Sequence, residues 1–228
     1  MRLCFLTFLA FLACTSTKPT PVEPVAQPGA KAEIVEAAPK EAQPAVAAIL
    51  SFEGELSFIS VKNGDTPVLG TWAGFSGSAV AGPEKDCIIP LDGTLDIPLN
   101  TLSTELELRD QQILNTFFDV KANPVAFFEL KRMSRPAPGT AGMWIDGSLK
   151  IGPFSQDVRG HFRATTAEDG SQQLESGEAM IISISQLGMG KRLASLMALC
   201  EHESVDDSVE VRTKGTIRFT ADASTVPQ

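Results

Sequence analysis

Few residues of this chain have the types and the spacing that catalysis or metal binding requires. The two histidines, His161 and His202, have no cysteine or histidine at the short spacings typical of zinc ligands. No Gly-x-Ser-x-Gly sequence is present to hold a nucleophilic serine. The adjacent Arg109 and Asp110 offer an acid–base pair or a ligand anchor, but such pairs more often fix a loop through charge-assisted hydrogen bonds. We therefore predict a structural role for Arg109 and Asp110 at a rim, no metal site, no cofactor, and a protein that is not an enzyme.

The composition favours a globular protein and argues against nucleic-acid binding. Of the 228 residues, 43% are hydrophobic and 21% are charged, which excludes a wholly disordered chain. Lys and Arg number 19 against 28 Asp and Glu, which gives a net charge of −9. Because binding to a phosphate backbone needs clustered Lys and Arg, we expect no nucleic-acid partner.

The N-terminus has the pattern of an export signal. Arg2 precedes the apolar run 3–13, which is too short to span a bilayer. The run ends in Phe11-Leu12-Ala13-Cys14, which resembles a bacterial lipobox. This predicts a lipoprotein signal peptide over residues 1–13 and lipidation of Cys14; ordinary signal cleavage a few residues later is the alternative. The residue after the cysteine is Thr15 and not Asp, which favours a periplasmic protein anchored to the outer membrane.

The next segment predicts a tether and not a folded domain. Residues 14–48 hold six of the 15 prolines and no aromatic residue, so the segment cannot bury enough apolar surface to offset its ordering entropy. Prolines favour extended backbone, which is typical of a semi-stiff spacer. We therefore expect the folded domain to span residues 49–222, followed by a disordered tail over 223–228.

From Ile49 onward the hydrophobic period is two, which indicates strands with one buried face. The predicted strands are 50–58, 68–81, 91–99, 125–133, 143–151, 154–162, 180–184 and 209–219. Helix-like spacing occurs over 104–118 and 190–201 and does not alternate with the strands, so a parallel sheet is not expected. The sequence predicts an all-β fold, an eight-stranded antiparallel barrel with short helical insertions. The interior of such a barrel is either filled or holds one slender ligand.

The segment 102–130 resembles the YceI family of periplasmic polyisoprenoid-binding, lipocalin-like barrels. The matching positions are Thr101, Thr104, Arg109, Asp110, Phe117, Phe118, Asp119, Val120 and Pro124. The resemblance extends over about residues 49–221. The chain departs from the family pattern at Gln111-Gln112, at Ile184 and in the segment 190–201. The resemblance implies a lipocalin-like barrel that binds an isoprenoid lipid in the bacterial envelope.

Two functions follow from these observations. The first is a lipid-binding protein that sequesters or carries a long-chain isoprenoid, polyprenyl or quinone-like, in the barrel lumen; the bound lipid is then its partner. The second is an envelope interaction or structural protein that is not an enzyme and whose filled barrel takes no ligand. The candidate lumen residues are Phe52, Leu56, Phe58, Leu95, Ile97, Leu99, Phe117, Phe128, Ile145, Leu149, Phe154, Phe162, Ile182 and Phe219.

The cysteines add one further prediction. Cys4 belongs to the signal peptide and Cys14 is the lipidation site, so Cys87 and Cys200 remain in the exported domain. An even pair of cysteines in an oxidising compartment usually forms a bridge, which predicts a Cys87–Cys200 disulfide. The sequence leaves the oligomeric state open, a homodimer included.

Overall fold

The computed structural model describes residues 48–135 and 142–221. These residues belong to one compact unit. The predicted signal peptide over 1–13, the predicted lipidation site Cys14, the tether up to residue 47 and the tail over 223–228 lie outside the described residues. The first strand starts at Ala48, one residue before the predicted start of the domain.

Ten strands and four helical segments make up the described residues. The strands are β1 (Ala48–Lys62), β2 (Thr66–Ala81), β3 (Ile88–Pro98), β4 (Leu102–Ser103), β5 (Val125–Ser134), β6 (Met143–Ile151), β7 (Phe154–Thr166), β8 (Gln172–Ser176), β9 (Met180–Ser183) and β10 (Ser208–Ala221). The helices are α1 (Glu107–Gln112), which continues into a π-helix (Ile113–Phe118), then α2 (Ile184–Leu187) and α3 (Gly190–Cys200). A 3₁₀ turn, Leu99–Thr101, links β3 to β4.

The strands close into an antiparallel barrel. The sheet order is β1-β10-β8-β7-β6-β5-β3-β2, and pairing of β1 with β2 closes the ring. The two-residue β4 pairs with β2 beside this ring, and β9 pairs with β10. Since β8 and β9 pair with different parts of β10, they share one position, and the barrel has eight strands as predicted.

One strand position differs from the sequence prediction. The alternation of Met180, Ile182 and Ile184 predicts one strand there, but the structure ends β9 at Ser183 and begins α2 at Ile184. The Ser183 side chain accepts a hydrogen bond from the Gln186 backbone N–H, which caps this helix. The rest of the strand position is supplied by β8, whose largely polar sequence gives no clear period-two signal.

The two ends of the barrel differ in structure. At one end, called the helix end, β1 finishes at Lys62, and Val205 in the loop after α3 forms an isolated β-bridge with Lys62. At the other end, called the opposite end, β1 begins at Ala48 beside Ala81. The helical segments all follow or precede strand ends at the helix end. Within the described residues no helix has the length and apolar character needed to cross a membrane.

The predicted Cys87–Cys200 disulfide is wrong, because the two residues lie at different ends of the barrel. Cys87 directly precedes β3 at the opposite end, and the eleven residues of β3 lead from there toward the helix end. At about 3.3 Å per residue β3 is about 35 Å long, whereas a disulfide needs Cα atoms within about 7 Å. The Cys200 thiol instead donates a hydrogen bond to Gln112 Oε1 at 3.3 Å.

Candidate functional site

The interior of the barrel encloses an apolar cavity of about 270 Å³. It extends from Phe52 and Ile217, deep in the barrel, to Lys62 and His202 at the helix end. Ligand pockets in proteins commonly measure roughly 300–1,000 Å³, so the cavity is slightly smaller than that range. The barrel is therefore not filled by its own side chains.

Most of the lumen residues predicted from the sequence line this cavity. The residues that do so are Phe52, Leu56, Phe58, Leu95, Ile97, Leu99, Phe117, Phe128, Ile145, Leu149, Phe162 and Ile182. They occupy the inward-facing, alternate positions along the strands, except for Leu99 in the 3₁₀ turn and Phe117 in the π-helix. Phe154 and Phe219 do not line the cavity.

The prediction for Phe154 is wrong because this residue is the first residue of β7 and lies at the helix end. Its side chain packs against the hydrophobic cluster that contains Met189, close to Gly188, and does not line the cavity. The Arg192 guanidinium of α3 is 5.3 Å from the centre of the ring. The alternation along β7 holds for Val158 and Phe162, but the first residue of the strand is above the cavity and covered by the helix.

The prediction for Phe219 is wrong because the barrel is already closed below it. Leu50 and Ile217 are completely buried near the opposite end and fill the interior there. Phe219 lies two residues beyond Ile217 on β10 and is 53% exposed. A period-two pattern predicts which face of a strand a residue lies on, but it does not predict where along the strand the barrel cavity ends.

Two aromatic lining residues, Trp72 and Phe75, are missing from the sequence prediction because of a β-bulge. Gly54 of β1 pairs with Phe75, and Leu56 pairs with Trp72, so β2 advances three residues while β1 advances two. The extra residue reverses the alternation, and both rings face the cavity although their numbers have opposite parity. The glycine-rich sequence 70–77 is the only sequence signal for this irregularity.

Glycines on neighbouring strands leave room for the lumen phenylalanines. A Cβ atom at Gly70 would clash with the ring of Phe58, its direct cross-strand partner. A Cβ atom at Gly147 would clash in the same way with the ring of Phe128. The rings therefore lie back against the glycine backbone of the wall, which keeps the central part of the barrel open.

Two polar side-chain atoms of the cavity lining are buried and have no hydrogen-bond partner within the described residues. They are Trp72 Nε1 and Thr213 Oγ1. Leu56 pairs with Trp72 on one side and with Thr213 on the other, so both polar residues lie at the same level of the barrel. Burying such a group without a partner costs about 1–3 kcal/mol. The lumen therefore offers a hydrogen-bond donor at this level to an oxygen atom.

The helix end of the cavity forms a mouth, defined here by the lining residues Lys62, Val68, Arg109, His202 and Val205. Burial, with smaller contributions from the charges of Lys62 and Arg109, holds the pKa of His202 below its usual value. No acidic side chain lines the described cavity. The Lys62 ammonium group has no ion-pair partner within 4 Å among the described residues. The mouth is thus a polar, cationic border to an apolar lumen.

Arg109 and Asp110 hold this border in place through Thr104. Arg109 donates hydrogen bonds from Nε to Thr104 Oγ1 at 2.7 Å and from Nη2 to the Thr104 carbonyl at 2.6 Å. Asp110 Oδ1 accepts hydrogen bonds from the Thr104 hydroxyl and, at 2.9 Å, from its backbone N–H. These bonds fasten α1 to the segment that follows β4. Arg109 also lines the cavity, so it belongs to both the rim and the mouth.

Helix α3 covers part of the helix end and is fixed by Arg192. The Arg192 Nη1 donates a hydrogen bond to the Phe117 carbonyl at 3.1 Å, and Nη2 lies 3.6 Å from Asp119 Oδ2. Leu193, Leu196 and Cys200 of the same helix line the cavity. The α3 segment therefore forms a lid whose inner face is part of the lumen.

Residues 49–217 match the family model of the YceI-like domain. The chain belongs to the YceI-like domain family. The match includes all of β2–β9 and most of β1 and β10. A search of curated proteins finds no significant match.

Solved structures show the same fold for this YceI-like domain. A polyisoprenoid-binding domain from Saccharophagus degradans, implicated in plant cell wall breakdown, is 14% identical with a TM-score of 0.53; the match covers 78% of this chain and all of that one. BcnA from Burkholderia cenocepacia is 16% identical with a TM-score of 0.55, over 72% of this chain and 96% of that one. At this level of identity the likeness concerns the fold alone.

Possible metal ligands in the described part of the YceI-like domain include its two histidines. Among the described residues no group of three His, Cys, Asp or Glu side chains is placed to hold a metal ion. His161, one of the two histidines, lies on the outer face, with its ring centre 4.7 Å from that of Trp144. His202 is at the mouth, where its neighbours are the cations described above.

Proposed function

We propose that this protein binds a long-chain isoprenoid lipid, polyprenyl or quinone-like, and that the apolar tail occupies the barrel lumen. The observation that carries this proposal is the apolar cavity, which is continuous from the deep barrel to the mouth. Transfer of apolar surface out of water supplies about 25 cal/mol per Å², so a long hydrocarbon tail is stabilised without a specific polar contact. The polyisoprenoid-binding description of the Saccharophagus degradans domain supports the same ligand class.

The oxygen atoms at the polar end of the ligand can find hydrogen-bond donors or cations at two positions in the barrel. In the lumen, Trp72 Nε1 and the Thr213 hydroxyl can each donate a hydrogen bond. At the mouth, Lys62 and Arg109 can interact with an oxygen-rich head group. The role is binding and transport in the envelope, with no covalent chemistry assigned to any residue.

The location follows the predicted lipobox. We propose that the mature protein is a lipoprotein of the outer membrane, anchored at Cys14, with the barrel on the periplasmic side. The cavity counts against the alternative of an interaction protein with a filled barrel, since the lumen is open and unfilled apolar volume in a core is destabilising.

A binding experiment with the fragment 45–228 tests the lumen assignment. Trp72 lines the cavity and Trp144 lies outside it, so a Trp144→Phe background lets Trp72 fluorescence report the occupancy of the lumen. We expect saturable quenching by geranylgeraniol. Ile182→Phe narrows the lumen and should weaken binding about tenfold, a cost of about 1.4 kcal/mol.

Ile181→Phe is the matched control, because Ile181 is the neighbouring residue of β9 and faces outward. It should bind geranylgeraniol like the parent fragment. Equal affinity in the two phenylalanine variants, or no quenching in the parent, would show that the lumen is not the binding site.

A further inference from the structure

Three exposed leucines lie on or directly beside the helices at the helix end. Leu106 and Leu108 lie at the start of α1, and Leu199 lies at the end of α3. Leu108 is 68% exposed and Leu199 is 53% exposed. A single exposed leucine is normal on a protein surface, but several around the opening of a cavity indicate an interaction site.

Contacts between the two helices bring these leucines together. Leu108 and Gln112 are four residues apart on α1 and so lie on one face of the helix. The Gln112 side chain accepts the hydrogen bond of Cys200, which directly follows Leu199. Leu108 and Leu199 therefore flank one helix–helix contact. We call Leu106, Leu108 and Leu199 the leucine rim.

The leucine rim adjoins the mouth. Leu108 is followed in the sequence by Arg109, and Leu199 by Cys200, and both of these following residues line the cavity. None of the rim leucines lines the cavity. A hydrocarbon chain that leaves the lumen between α1 and α3 would meet the rim directly.

The charges around the leucine rim indicate which surface it fits. Four exposed carboxylates lie beside the rim leucines and His202: Glu105, Glu107, Glu201 and Glu203. The cations Lys62 and Arg109 are partly buried in the mouth, and Lys191 is exposed at the start of α3. An anionic surface would be repelled by these carboxylates, whereas an electroneutral lipid surface would not. The apolar side chains are thus suited to contact with zwitterionic head groups and the acyl region beneath them.

We propose that the helix end docks on an electroneutral phospholipid membrane, with Leu108 and Leu199 inserted into it, so that the lipid ligand passes between the bilayer and the mouth. This inference rests on the proposed function, because the docked surface is the route of the ligand. The membrane, not a protein partner, is the occupant assigned to the rim.

The length of the predicted tether permits this orientation. The 33 residues between Cys14 and Ala48 reach at most about 110 Å when extended. They join β1 at the opposite end of the barrel, and β1 itself has 15 residues, about 50 Å of strand. A domain tethered in this way can turn its helix end toward the membrane that holds its anchor.

Vesicle flotation with the fragment 45–228, which lacks Cys14, tests the docking. We expect binding to phosphatidylethanolamine–phosphatidylcholine vesicles and weaker binding when phosphatidylglycerol is added. High salt should partly restore binding to the vesicles that contain phosphatidylglycerol. The double variant Leu108→Ser/Leu199→Ser should lower the partition coefficient about tenfold or more, given the apolar area removed. Phe219→Ser is the matched control, because Phe219 is equally exposed at the opposite end, and it should partition like the parent.

Measurements of ligand binding and of ligand transfer distinguish membrane docking from the proposed lipid binding. In vesicle-free solution the double variant should bind geranylgeraniol with unchanged affinity, but its transfer of ligand between vesicles should slow about tenfold. If the parent binds no isoprenoid yet still floats, the proposed function fails and the docking stands. Equal flotation of parent and double variant would overturn the docking. So would a parent dimer that the double variant loses in ultracentrifugation, since the rim would then be a protein–protein contact.

Discussion

At the scale of single residues, the mouth places groups of like charge around one histidine. Burial is the largest cause that lowers the pKa of His202, and the charges of Lys62 and Arg109 lower it further. His202 is flanked by Glu201 and Glu203, yet no carboxylate counters the effect of the two cations. The neutral imidazole is therefore favoured in the folded protein, which leaves Lys62 and Arg109 as the charged groups of the mouth.

Replacing Lys62 by Met should raise the pKa of His202, because one of the two cations that disfavour its protonation is removed. In the parent the folded state holds the proton less tightly than the unfolded state. The free energy of unfolding therefore decreases as the pH falls through the unfolded value of about 6.5. This decrease should be smaller in Lys62→Met. NMR titration of the histidine signals, assigned with His202→Gln, measures the shift.

Lys191→Met is the control for this titration, because Lys191 is an exposed residue of α3 that does not contribute to the shift of His202. A His202 titration that is identical in the parent and in Lys62→Met would contradict the arrangement of the mouth.

At the scale of strands and helices, period-two alternation was sufficient for the barrel and for most of its lining. Alternation depends only on which face of a strand is buried, so it locates Leu95, Ile145 and Leu149 correctly. It fails where the backbone leaves the regular pattern: the bulge that turns both Trp72 and Phe75 inward is set by strand pairing, which is non-local. The disulfide prediction failed for a related reason, since spacing along a chain does not give the distance between barrel ends.

Arg192 makes the polar contacts that attach helix α3 to the C-terminal part of the π-helix. Arg192 contacts the Phe117 carbonyl, the Asp119 carboxylate and the Phe154 ring, each on a different segment. None of the residues of α3 is fully buried. We therefore expect the contacts of Arg192, together with the apolar packing of Leu193 and the Cys200–Gln112 hydrogen bond, to set how readily α3 moves away from the mouth.

Replacing Arg192 by Met should loosen the lid. We expect the free energy of unfolding to fall by about 1–2 kcal/mol, since a partly exposed charged hydrogen bond and ion pair are lost while the aliphatic stem is kept. Geranylgeraniol should dissociate several-fold faster, because α3 moves away from the mouth more easily. Stopped-flow measurement of Trp72 fluorescence gives the rate. Lys191→Met, on the outer side of the same helix, should change neither quantity, and an unchanged rate in Arg192→Met would argue against a lid.

At the scale of the whole molecule, we expect the barrel to fold without its proposed anchor. Both hydrophobic clusters of the described domain are formed by residues from Leu50 to Ile217. Cys14 is more than thirty residues away from the first strand. Lipidation should therefore determine where the protein is held and leave the stability of the barrel unaffected.

Cys14→Ser tests the anchor. The substitution should block signal processing or release the protein from the outer-membrane fraction, because acyl chains contribute about 0.8 kcal/mol of membrane affinity per buried CH₂ group. The melting temperature of the barrel should be unchanged. Fractionation and immunoblotting of cells measure the location. A Cys14→Ser protein that is processed normally and stays firmly in the outer membrane would disprove lipidation at this residue.

The central claim, that the lumen holds an isoprenoid, is tested most directly by native mass spectrometry of the full chain purified from bacterial membranes. The account predicts one bound lipid per barrel, identified after organic extraction as a polyprenyl or quinone-like isoprenoid. The lipid should be retained in Ile181→Phe and lost or strongly depleted in Ile182→Phe. A protein that carries no lipid, or that carries it equally in both variants, would contradict the account.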